Sequence, residues 1–366
     1  MKKILTEAGD ISGKKILLRL DFNVPMEENI IQDDTRIKRS LKTLEYLKNA
    51  GAKVIILSHI GSDGEKSLAP VAKYLGIQLI EMNICEIEGR FKCMKDGEVF
   101  IAENIRKEPG EKKNDPLFTR ELSLTADIFI NEAFSASHRE HASIVGLPNH
   151  LPSFFGFLFE EEVANLSTAF LPDHPFLFIL GGAKFSTKLP LVNKFLNIAD
   201  QIFIGGALAN SLLKEKGYEI GISKSDDDNT GFADILREQK VVLPEDVIVL
   251  NGDVKKVSEV GKLDCIVDFG TETLLKLKNM ISESKFILWN GPVGFFEKGF
   301  NENNENIAKM IISTDSRSMV GGGDTTACLK NSGVLEGFTF VSTGGGAMLD
   351  YLANGTLPGI EAIMKT

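Results

Sequence analysis

Cysteine is scarce in this sequence, and the spacing of the few cysteines excludes two kinds of cross-linked scaffold. The 366 residues include four cysteines, and no two of them form a CxxC pair. Both a zinc ribbon and a disulfide framework are therefore excluded. We predict buried free thiols in a protein of a reducing compartment. The positions are Cys85, Cys93, Cys265 and Cys328.

Long hydrophobic runs and an excess of positive charge are also absent. No apolar stretch reaches the roughly 20 residues that a membrane-spanning helix needs. The first residues contain no apolar run of the signal-peptide type. The 41 basic residues stand against 51 acidic ones, a formal net charge of −10, which argues against binding to nucleic acid or to an anionic membrane. The sequence therefore predicts a soluble cytoplasmic protein without either of these partners.

The common nucleotide-binding signatures are missing as well. Neither GxxxxGKS/T nor GxGxxG occurs anywhere in the chain. This excludes an ordinary Walker site and a dinucleotide fingerprint. A nicotinamide-dependent dehydrogenase is disfavoured for the same reason.

The sequence does contain short apolar runs that alternate with helix-like segments. Nearly continuous apolar runs are typical of parallel strands that are covered on both faces. At about 150 residues per domain, the length suits two domains. The pattern predicts two Rossmann-like, doubly wound α/β lobes with parallel sheets. The predicted strands are Lys15–Phe22, Lys53–Ser58, Val99–Ala102, Asp127–Ile130, Phe176–Leu180, Gln201–Gly205, Val247–Leu250, Cys265–Phe269, Phe286–Trp289 and Phe338–Ser342.

The boundary between the two lobes is predicted near residues 150–175. Prolines occur on both sides of this region, at Pro152 and at Pro172 and Pro175. The segment between them, Phe157–Phe170, is predicted to form one connecting helix.

Arginine is distributed unevenly along the chain. Seven of the nine arginines lie in residues 1–150, where 22 basic residues stand against 23 acidic ones, while the remainder has 19 against 28. Drift in surface composition is one interpretation. The other is an anion site, because ligands of such sheets bind at the carboxyl ends of strands and converging arginines repel one another unless an anion lies between them. The candidates are Arg19, Arg36, His59, Arg106 and Arg139, with Asp21 and Asn23 on the same side of the first strand as Arg19.

Glycine-rich loops follow several strands of the second half. Lys184 and Lys188 are four residues apart and are predicted to share one face of a helix that begins there, where they would suit phosphate oxygens. Gly205 and Gly206 would let a flat ligand such as adenine approach the backbone, although glycine also serves tight turns. Asp324 lies among glycines in GGGDTTA. A carboxylate beside phosphate requires a cation, so Asp324 is the predicted magnesium ligand.

Seven motifs together resemble those of phosphoglycerate kinase. They occur in the order of that family and span nearly the whole chain. The motifs are RLDFNVP at 19–25, SHIG at 58–61, AENIR at 102–106, GGAKFSTK at 181–188, WNGPVGFFE at 289–297, GGGDTTA at 321–327 and STGGGAM at 342–348.

The resemblance implies a reaction and a domain plan. The reaction is the reversible phosphoryl transfer between 1,3-bisphosphoglycerate and Mg-ADP that gives 3-phosphoglycerate and ATP, a step of glycolysis and gluconeogenesis. The plan is a monomer whose two lobes close across a helical hinge. Residues 1–152 would hold phosphoglycerate, 153–171 would form the interdomain helix, 172–353 would hold the nucleotide, and a tail from about 354 to 366 would return to the first lobe.

The resemblance also implies three groups of site residues. The catalytic group is Lys184, which would stabilise the moving phosphoryl group, with Arg36 and Gly345. The phosphoglycerate contacts are Arg19, Asp21, Asn23, Arg36, His59, Arg106 and Arg139, with Ser62 at the position of a further contact. The nucleotide contacts are Lys188, Gly205, Gly206, Glu297, Gly322, Gly323, Asp324 and Thr325, of which Asp324 would also bind Mg²⁺ and Glu297 could accept a hydrogen bond from a ribose hydroxyl.

The first lobe departs from the family pattern at several positions. The usual SHLGRP is SHIGSD here, so Ser62 replaces an arginine that normally contacts the substrate phosphate. The usual NDAFGTAHR is NEAFSASHR, with Glu132 and Ser135. Lys107 stands where an aromatic residue is common.

Two functions from different classes follow. The first is an active phosphoglycerate kinase, because phosphoryl transfer depends mainly on positioning and on stabilisation of charge. The second is a nucleotide-binding or scaffolding protein that kept the fold and lost efficient catalysis. Only the changes at Ser62, Glu132 and Ser135 favour the second.

Overall fold

The computed structural model describes residues 3–226 and 228–365, which form two compact units. The first unit runs to Ala164 and resumes at Asn354, and the second comprises Asn165–Ala353. Each unit contains a six-stranded parallel sheet with helices between its strands. The predicted α/β fold class with two parallel sheets is confirmed. In the described part of the chain, no helix is long and apolar enough to cross a membrane.

The sheet of the first unit accounts for most of its strands. The strands are β1 (Lys15–Arg19), β2 (Met26–Glu27), β3 (Ile30–Ile31), β4 (Lys53–Leu57), β5 (Gln78–Ile80), β6 (Val99–Ala102), β7 (Ile128–Asn131) and β8 (Ser153–Phe155). All except the β2–β3 hairpin join in the order β5-β6-β4-β1-β7-β8. The helices are α1 (Thr35–Asn49), α2 (Ala69–Leu75), α3 (Ile84–Cys93), α4 (Pro109–Lys113), α5 (Pro116–Ser123) and α6 (Phe157–Ser167), and the boundary between the units falls within α6.

The core of the first unit follows from the apolar patterns in its sequence. Ile16 and Leu18 of β1 are buried together with Ile37, Leu44 and Leu47 of α1. The three residues of α1 are spaced by seven and by three positions, so they share one face of the helix. The central strand is thereby covered by a helix whose opposite face remains polar.

The central strands of this sheet end side by side. Arg19, the last residue of β1, pairs in register with Leu57 at the end of β4 and with Asn131 at the end of β7. The segments that carry Asp21 and His59 therefore leave the sheet at the same edge. This is the edge at which ligands of open parallel sheets bind.

The second unit repeats this plan with an added small sheet. Its strands are β9 (Phe176–Leu180), β10 (Gln201–Ile204), β11 (Val241–Val242), β12 (Asp246–Val249), β13 (Val254–Lys256), β14 (Ile266–Phe269), β15 (Phe286–Asn290), β16 (Arg317–Gly321) and β17 (Phe340–Ser342). The parallel sheet has the order β11-β10-β9-β15-β16-β17. The helices are α7 (Leu189–Phe195), α8 (Gly206–Glu215), α9 (Phe232–Arg237), α10 (Thr271–Glu283), α11 (Glu302–Ile312), α12 (Gly323–Leu329) and α13 (Gly346–Asn354), and α14 (Pro358–Lys365) belongs to the first unit.

Two of the predicted parallel strands lie in an antiparallel sheet instead. Val247–Leu250 and Cys265–Phe269 correspond to β12 and β14, which pair antiparallel in a three-stranded sheet with β13. The short connection around Gly252, whose φ of +92° favours glycine, joins β12 to β13 and makes that pair antiparallel, while β14 pairs with the other edge of β12. A connection of this length closes a hairpin, whereas parallel neighbours need a crossover of a dozen or more residues. The Asn251-Gly252 dipeptide is the hairpin signal that the apolar pattern obscures.

The prediction of four buried thiols is wrong for three of them. Cys85 and Cys93 are exposed on α3, Cys265 is half-buried and only Cys328 is buried. Helix α3 turns Ile87 and Phe91 to the core, and neither cysteine lies at helical spacing with that pair on the same face. Exposure of these thiols is compatible with their free state.

The predicted connecting helix Phe157–Phe170 consists of two elements. Helix α6 ends at Ser167, and a 3-10 turn spans Thr168–Phe170. The predicted interdomain range 153–171 also includes β8, which is the edge strand of the first sheet. The sequence pattern did not distinguish this short strand from the helix that follows it.

Glu132 holds the first turn of α6 in place. Its carboxylate accepts hydrogen bonds from the backbone N–H groups of Leu158 at 3.0 Å and Phe159 at 3.1 Å, and from the hydroxyl of Thr43 in α1. Burial raises the pKa of Glu132 to about 7, although these three hydrogen bonds oppose the shift. The longer side chain at this departure from the family pattern thus ties β7 to two helices.

The Glu132 carboxylate leaves no room for a side chain at Gly156. A Cβ atom at Gly156 would overlap the carboxylate, although the backbone there is not in the left-handed region. We expect Gly156→Ala to lower the free energy of unfolding by about 1–3 kcal/mol, as overpacking does. The same substitution in a Glu132→Asp background should lower it less, because aspartate is one methylene shorter.

Urea unfolding of the four proteins in this double-mutant cycle measures the coupling. Equal losses on Gly156→Ala in both backgrounds would show that the carboxylate is not what excludes a side chain at Gly156.

Candidate functional site

Arg19 is the centre of a polar cluster where β1, β4 and β7 end. Its side chain is fully buried. Nε donates to the hydroxyl of Ser143 at 2.9 Å, Nη1 donates to the carbonyl of Leu20, and Nη2 lies 3.1 Å from Nδ1 of His59. A buried charge needs such partners, because desolvation is expensive for an unpaired ion. Arg19 is therefore held in one orientation by the surrounding protein.

The contact with Arg19 determines the state of His59. A guanidinium group can only donate hydrogen bonds, so Nδ1 of His59 must accept and the neutral ring carries its proton on Nε2. Burial, together with the charges of Arg19, Arg106 and Arg139, lowers the pKa of His59 to about 2, against the opposing charge of Asp21. The 3.9 Å approach of His59 to Asp21 is accordingly not an ion pair.

Asp21 connects the predicted residues on neighbouring segments. Its carboxylate pairs with Arg36 at 3.1 Å and accepts a hydrogen bond from Ser135. Burial would raise the pKa of Asp21, but Arg36 and the hydrogen bonds lower it to about 2. Arg36 also donates to the carbonyl of Asn23 at 2.9 Å, and the Asn23 side chain accepts from the N–H of Gly61 at 3.0 Å.

Arg106 is buried with part of its hydrogen-bonding capacity unused. It is 6% exposed, and Nη1 donates to the carbonyl of Gly61. In the part of the chain that the structure describes, its Nε and Nη2 have no hydrogen-bond partner. Burial and the nearby charges of Arg139 and Arg19 lower the pKa of Arg106 to about 10. A buried cation with free donors points to an anionic ligand, since unsatisfied buried donors are rare in folded proteins.

Ser62 and Arg139 differ from the other predicted residues of this cluster in their exposure. Both side chains are exposed. Arg139 still acts on the cluster through its charge, which lowers the pKa values of Arg106 and His59. The structure thus brings together Arg19, Asp21, Asn23, Arg36, His59 and Arg106, with Arg139 nearby and Ser62 on an exposed loop.

A cleft of about 710 Å³ lies in the second unit. It lies beside the turns after β9 and β15, where Gly181 must lack a side chain because a Cβ atom would overlap the carbonyl of Pro292. The predicted residues that line the cleft are Gly206, Glu297 and Asp324, together with Gly182, Lys224, Asp268 and Pro292, which were not predicted.

Lys184 and Lys188 precede the helix that they were predicted to share. Helix α7 begins at Leu189, and the turn before it places Lys184 at an exposed position. The backbone N–H of Phe185 in this turn donates to the Asp226 carboxylate at 2.8 Å, a contact between residues 41 positions apart in the chain. The lysine pair is therefore not on one helical face.

Lys188 is directed to the end of strand β15. Its ammonium group donates to the side-chain oxygen of Asn290, whose amide nitrogen donates to the carbonyl of Gly321 at 2.9 Å. Burial lowers the pKa of Lys188 to about 8, opposed by the charge of Asp324. Asn290 thus links the ends of β15 and β16 to the lysine before α7, and only its place in the WNGPVGFFE motif could have indicated it.

The remaining predicted glycines and Thr325 form the scaffold of the same edge. Gly205 lies immediately before α8, and a Cβ atom there would lie 2.9 Å from Val293. Gly322 has a φ of +105°. Gly323 begins α12, and Gly345, with a φ of +54°, precedes α13. Thr325 is fully buried: its hydroxyl accepts from the N–H of Gly291 and donates to the carbonyl of Gly321. Only the backbone of Thr325 is therefore left for a nucleotide contact.

Asp324 fits a magnesium ion that is shared with a phosphate ligand. It is exposed in the first turn of α12, at the edge of the cleft and close enough to Lys188 to affect its pKa. Within the described residues, no group of three or more His, Cys, Asp or Glu side chains could hold a metal. A single carboxylate suits Mg²⁺, which retains water and phosphate ligands.

Several polar residues of both regions lack a signal in the sequence. Glu111 and Ser143 support Arg19, although they occur in stretches without glycine-rich loops or strand ends. Asp268 lines the cleft, and burial raises its pKa to about 7. Its strand was predicted, but its direction in the antiparallel sheet was not.

Comparisons with known proteins agree over nearly the whole chain. A sequence profile of the phosphoglycerate kinase family matches residues 5–355. Relatives named phosphoglycerate kinase from Moorella thermoacetica and Borreliella burgdorferi are 37% and 39% identical, with 100% and 99% of each chain covered. The solved structure of phosphoglycerate kinase from Coxiella burnetii superimposes with a TM-score of 0.87 at 32% identity over 98% of both chains. The one from Pyrococcus horikoshii gives 0.88 at 30% identity, covering 99% of this chain and 98% of that one.

The contact with Arg19 makes a prediction for His59 that does not depend on any ligand. We expect the ring to stay neutral, with unprotonated Nδ1, because burial and the neighbouring arginines lower its pKa. The range to examine is about pH 5 to pH 8, where an ordinary histidine titrates. Nitrogen-15 NMR of the imidazole, assigned with a His59→Asn variant, measures this directly. A titration midpoint near that of a free histidine would contradict the arrangement.

Proposed function

The chain belongs to the phosphoglycerate kinase family, and from this premise we propose which of its residues carry the reaction. That reaction transfers a phosphoryl group reversibly between 1,3-bisphosphoglycerate and ADP, giving 3-phosphoglycerate and ATP. The chain is thus a phosphotransferase with a carboxyl group as acceptor.

Phosphoglycerate is proposed to bind at the cluster around Arg19. The observation that carries this assignment is the buried Arg106, whose Nε and Nη2 have no partner among the described residues. Phosphate and carboxylate oxygens match the planar donors of arginine better than water does. Arg36 and Arg139 add charge, and Nε2–H of His59 offers a further donor. Asp21 and Asn23 orient Arg36 and the backbone near Gly61.

The nucleotide is proposed to bind in the cleft of the second unit. Its backbone wall at Gly206, next to Gly205, would admit a flat base, and Glu297 is exposed at its edge for a ribose hydroxyl. The ammonium group of Lys188, which donates to Asn290 in the structure, would instead donate to phosphate oxygens when the nucleotide is bound. Gly322, Gly323 and the backbone of Thr325 would add N–H groups there.

Magnesium is proposed to bind between Asp324 and the nucleotide phosphates. When bound, the ion neutralises charge on the phosphates that the reaction transfers and leaves behind. Asp324 would hold it at the edge of the cleft, and the nearby Lys188 would add positive charge.

The chain's own part in catalysis is proposed to be stabilisation of charge. In the direction of ATP synthesis, an ADP oxygen forms a bond to the phosphorus of the 1-phosphoryl group. The bond between that phosphorus and the carboxyl oxygen breaks, and the carboxylate of 3-phosphoglycerate leaves. No general base is needed, because the attacking oxygen is already ionised. Lys184 would stabilise the transferring group, and Arg36 and the backbone at Gly345 would assist it.

The alternative of a catalytically weakened relative has no observation in its favour. Glu132 caps α6 and Ser135 donates to Asp21, so both substitutions are accommodated by contacts of their own. Ser62 removes one cation from an exposed position. Monomeric state, cytoplasmic location and hinge bending complete the proposal, and these three rest on the family alone.

Lys184→Ala tests both the function and the catalytic assignment. In a coupled assay of ATP formation we expect activity from the unaltered protein and a kcat lower by two or more orders of magnitude in the variant. Nucleotide affinity should change far less, because the charge acts on the moving phosphoryl group. Lys309→Ala, an exposed lysine on α11, is the matched control. Loss of ADP binding with an intact kcat would refute the role, and an inactive unaltered protein would refute the function.

A further inference from the structure

Glu111 is a buried carboxylate that the proposed reaction does not use. It lies on α4 and its side chain is completely buried. One oxygen accepts from the Ser143 backbone N–H at 2.9 Å, and the other accepts from the Ser143 hydroxyl at 2.6 Å. Nδ1 of His141 lies 3.7 Å away. A buried carboxylate with two bonds to a single serine has a definite orientation.

Ser143 joins this carboxylate to the guanidinium of Arg19. Its hydroxyl accepts from Nε of Arg19 at 2.9 Å. Arginine only donates and a carboxylate only accepts, so the single hydroxyl proton must point to Glu111. The three groups form a relay in which the direction of every hydrogen bond is fixed. Such a chain strengthens each bond by polarisation.

The relay also balances the charge of the cluster. Arg19 and Arg106 are both buried and repel each other. Asp21 and Glu111 both act electrostatically on Arg19 and Arg106, but Asp21 is also paired with Arg36, and Glu111 has the larger effect on the two buried arginines. Burial raises the pKa of Glu111, against the opposing effects of Arg19 and Ser143. Glu111 thus offsets part of the charge of Arg19 from the side of Nε, through Ser143.

We propose that Glu111 is a positioning residue for the phosphoglycerate site and that it acts through the Ser143 hydroxyl. The relay fixes Nε of Arg19, and the rigid planar guanidinium then fixes Nη2, which sets the ring of His59. Loss of the relay should therefore weaken anion binding in the first unit without touching the nucleotide cleft. This inference rests on the proposed function of the cluster.

Ser143→Ala is the decisive variant, because it breaks the relay and leaves both charges in place. We expect calorimetric titration to show about tenfold weaker binding of 3-phosphoglycerate, the effect of one misplaced charge-assisted hydrogen bond. ADP affinity should not change, which shows that the second unit is folded, and an unchanged urea-unfolding transition shows the same for the first unit. The nitrogen-15 signal of His59 Nδ1 should shift as its donor moves. Glu121→Gln, an exposed glutamate on α5, is the matched control.

Glu111→Gln and the double variant test the coupling. If the carboxylate acts through Ser143, the double variant should bind 3-phosphoglycerate no more weakly than the worse single variant. Additive losses would overturn the relay, as would unchanged binding of 3-phosphoglycerate or equal weakening of both ligands. Absence of 3-phosphoglycerate binding in the unaltered protein would instead overturn the proposed function.

Discussion

The burial of a positive charge at the end of a parallel sheet is the constraint on which the first unit's site depends. Arg19 ends β1 with no exposed surface, so its donors must all be satisfied within the protein. That requirement explains the neutral state of His59 and the serine that links Arg19 to Glu111. Arg106, whose pKa is lowered by burial and by the charges of Arg139 and Arg19, keeps donors that an anion can satisfy.

The second unit reaches a comparable arrangement with backbone rather than charge. Strands β9, β15 and β16 end in register, and glycines at their ends let the turns pack against one another. Asn290 joins these ends and holds Lys188 beside the cleft. Under the proposed function, two parallel sheets of different strand order would therefore bind two different ligands. One unit presents arginines, and the other presents N–H groups, a lysine and a carboxylate suited to a metal-bound phosphate.

The sequence predicts the parts of this account that depend on local pattern. Apolar runs such as Phe176–Leu180 become strands, and the polar residues after them, including Asp21 and His59, gather because parallel strands end together. Long-range contacts are not encoded in such patterns. Nothing near Lys184 indicates that Asp226 accepts a hydrogen bond from the backbone of this turn. Likewise, Glu111 and Ser143 are 32 residues apart and share no motif, so only the folded chain shows that they meet.

The central claim is that the unsatisfied guanidinium of Arg106 marks the phosphoglycerate site. Calorimetric titration of Arg106→Gln with 3-phosphoglycerate and, separately, with ADP tests it most directly. The account predicts a loss of at least about tenfold in affinity for 3-phosphoglycerate, because a charge-assisted contact disappears, with ADP affinity unchanged. Undiminished affinity for 3-phosphoglycerate in the variant would contradict it.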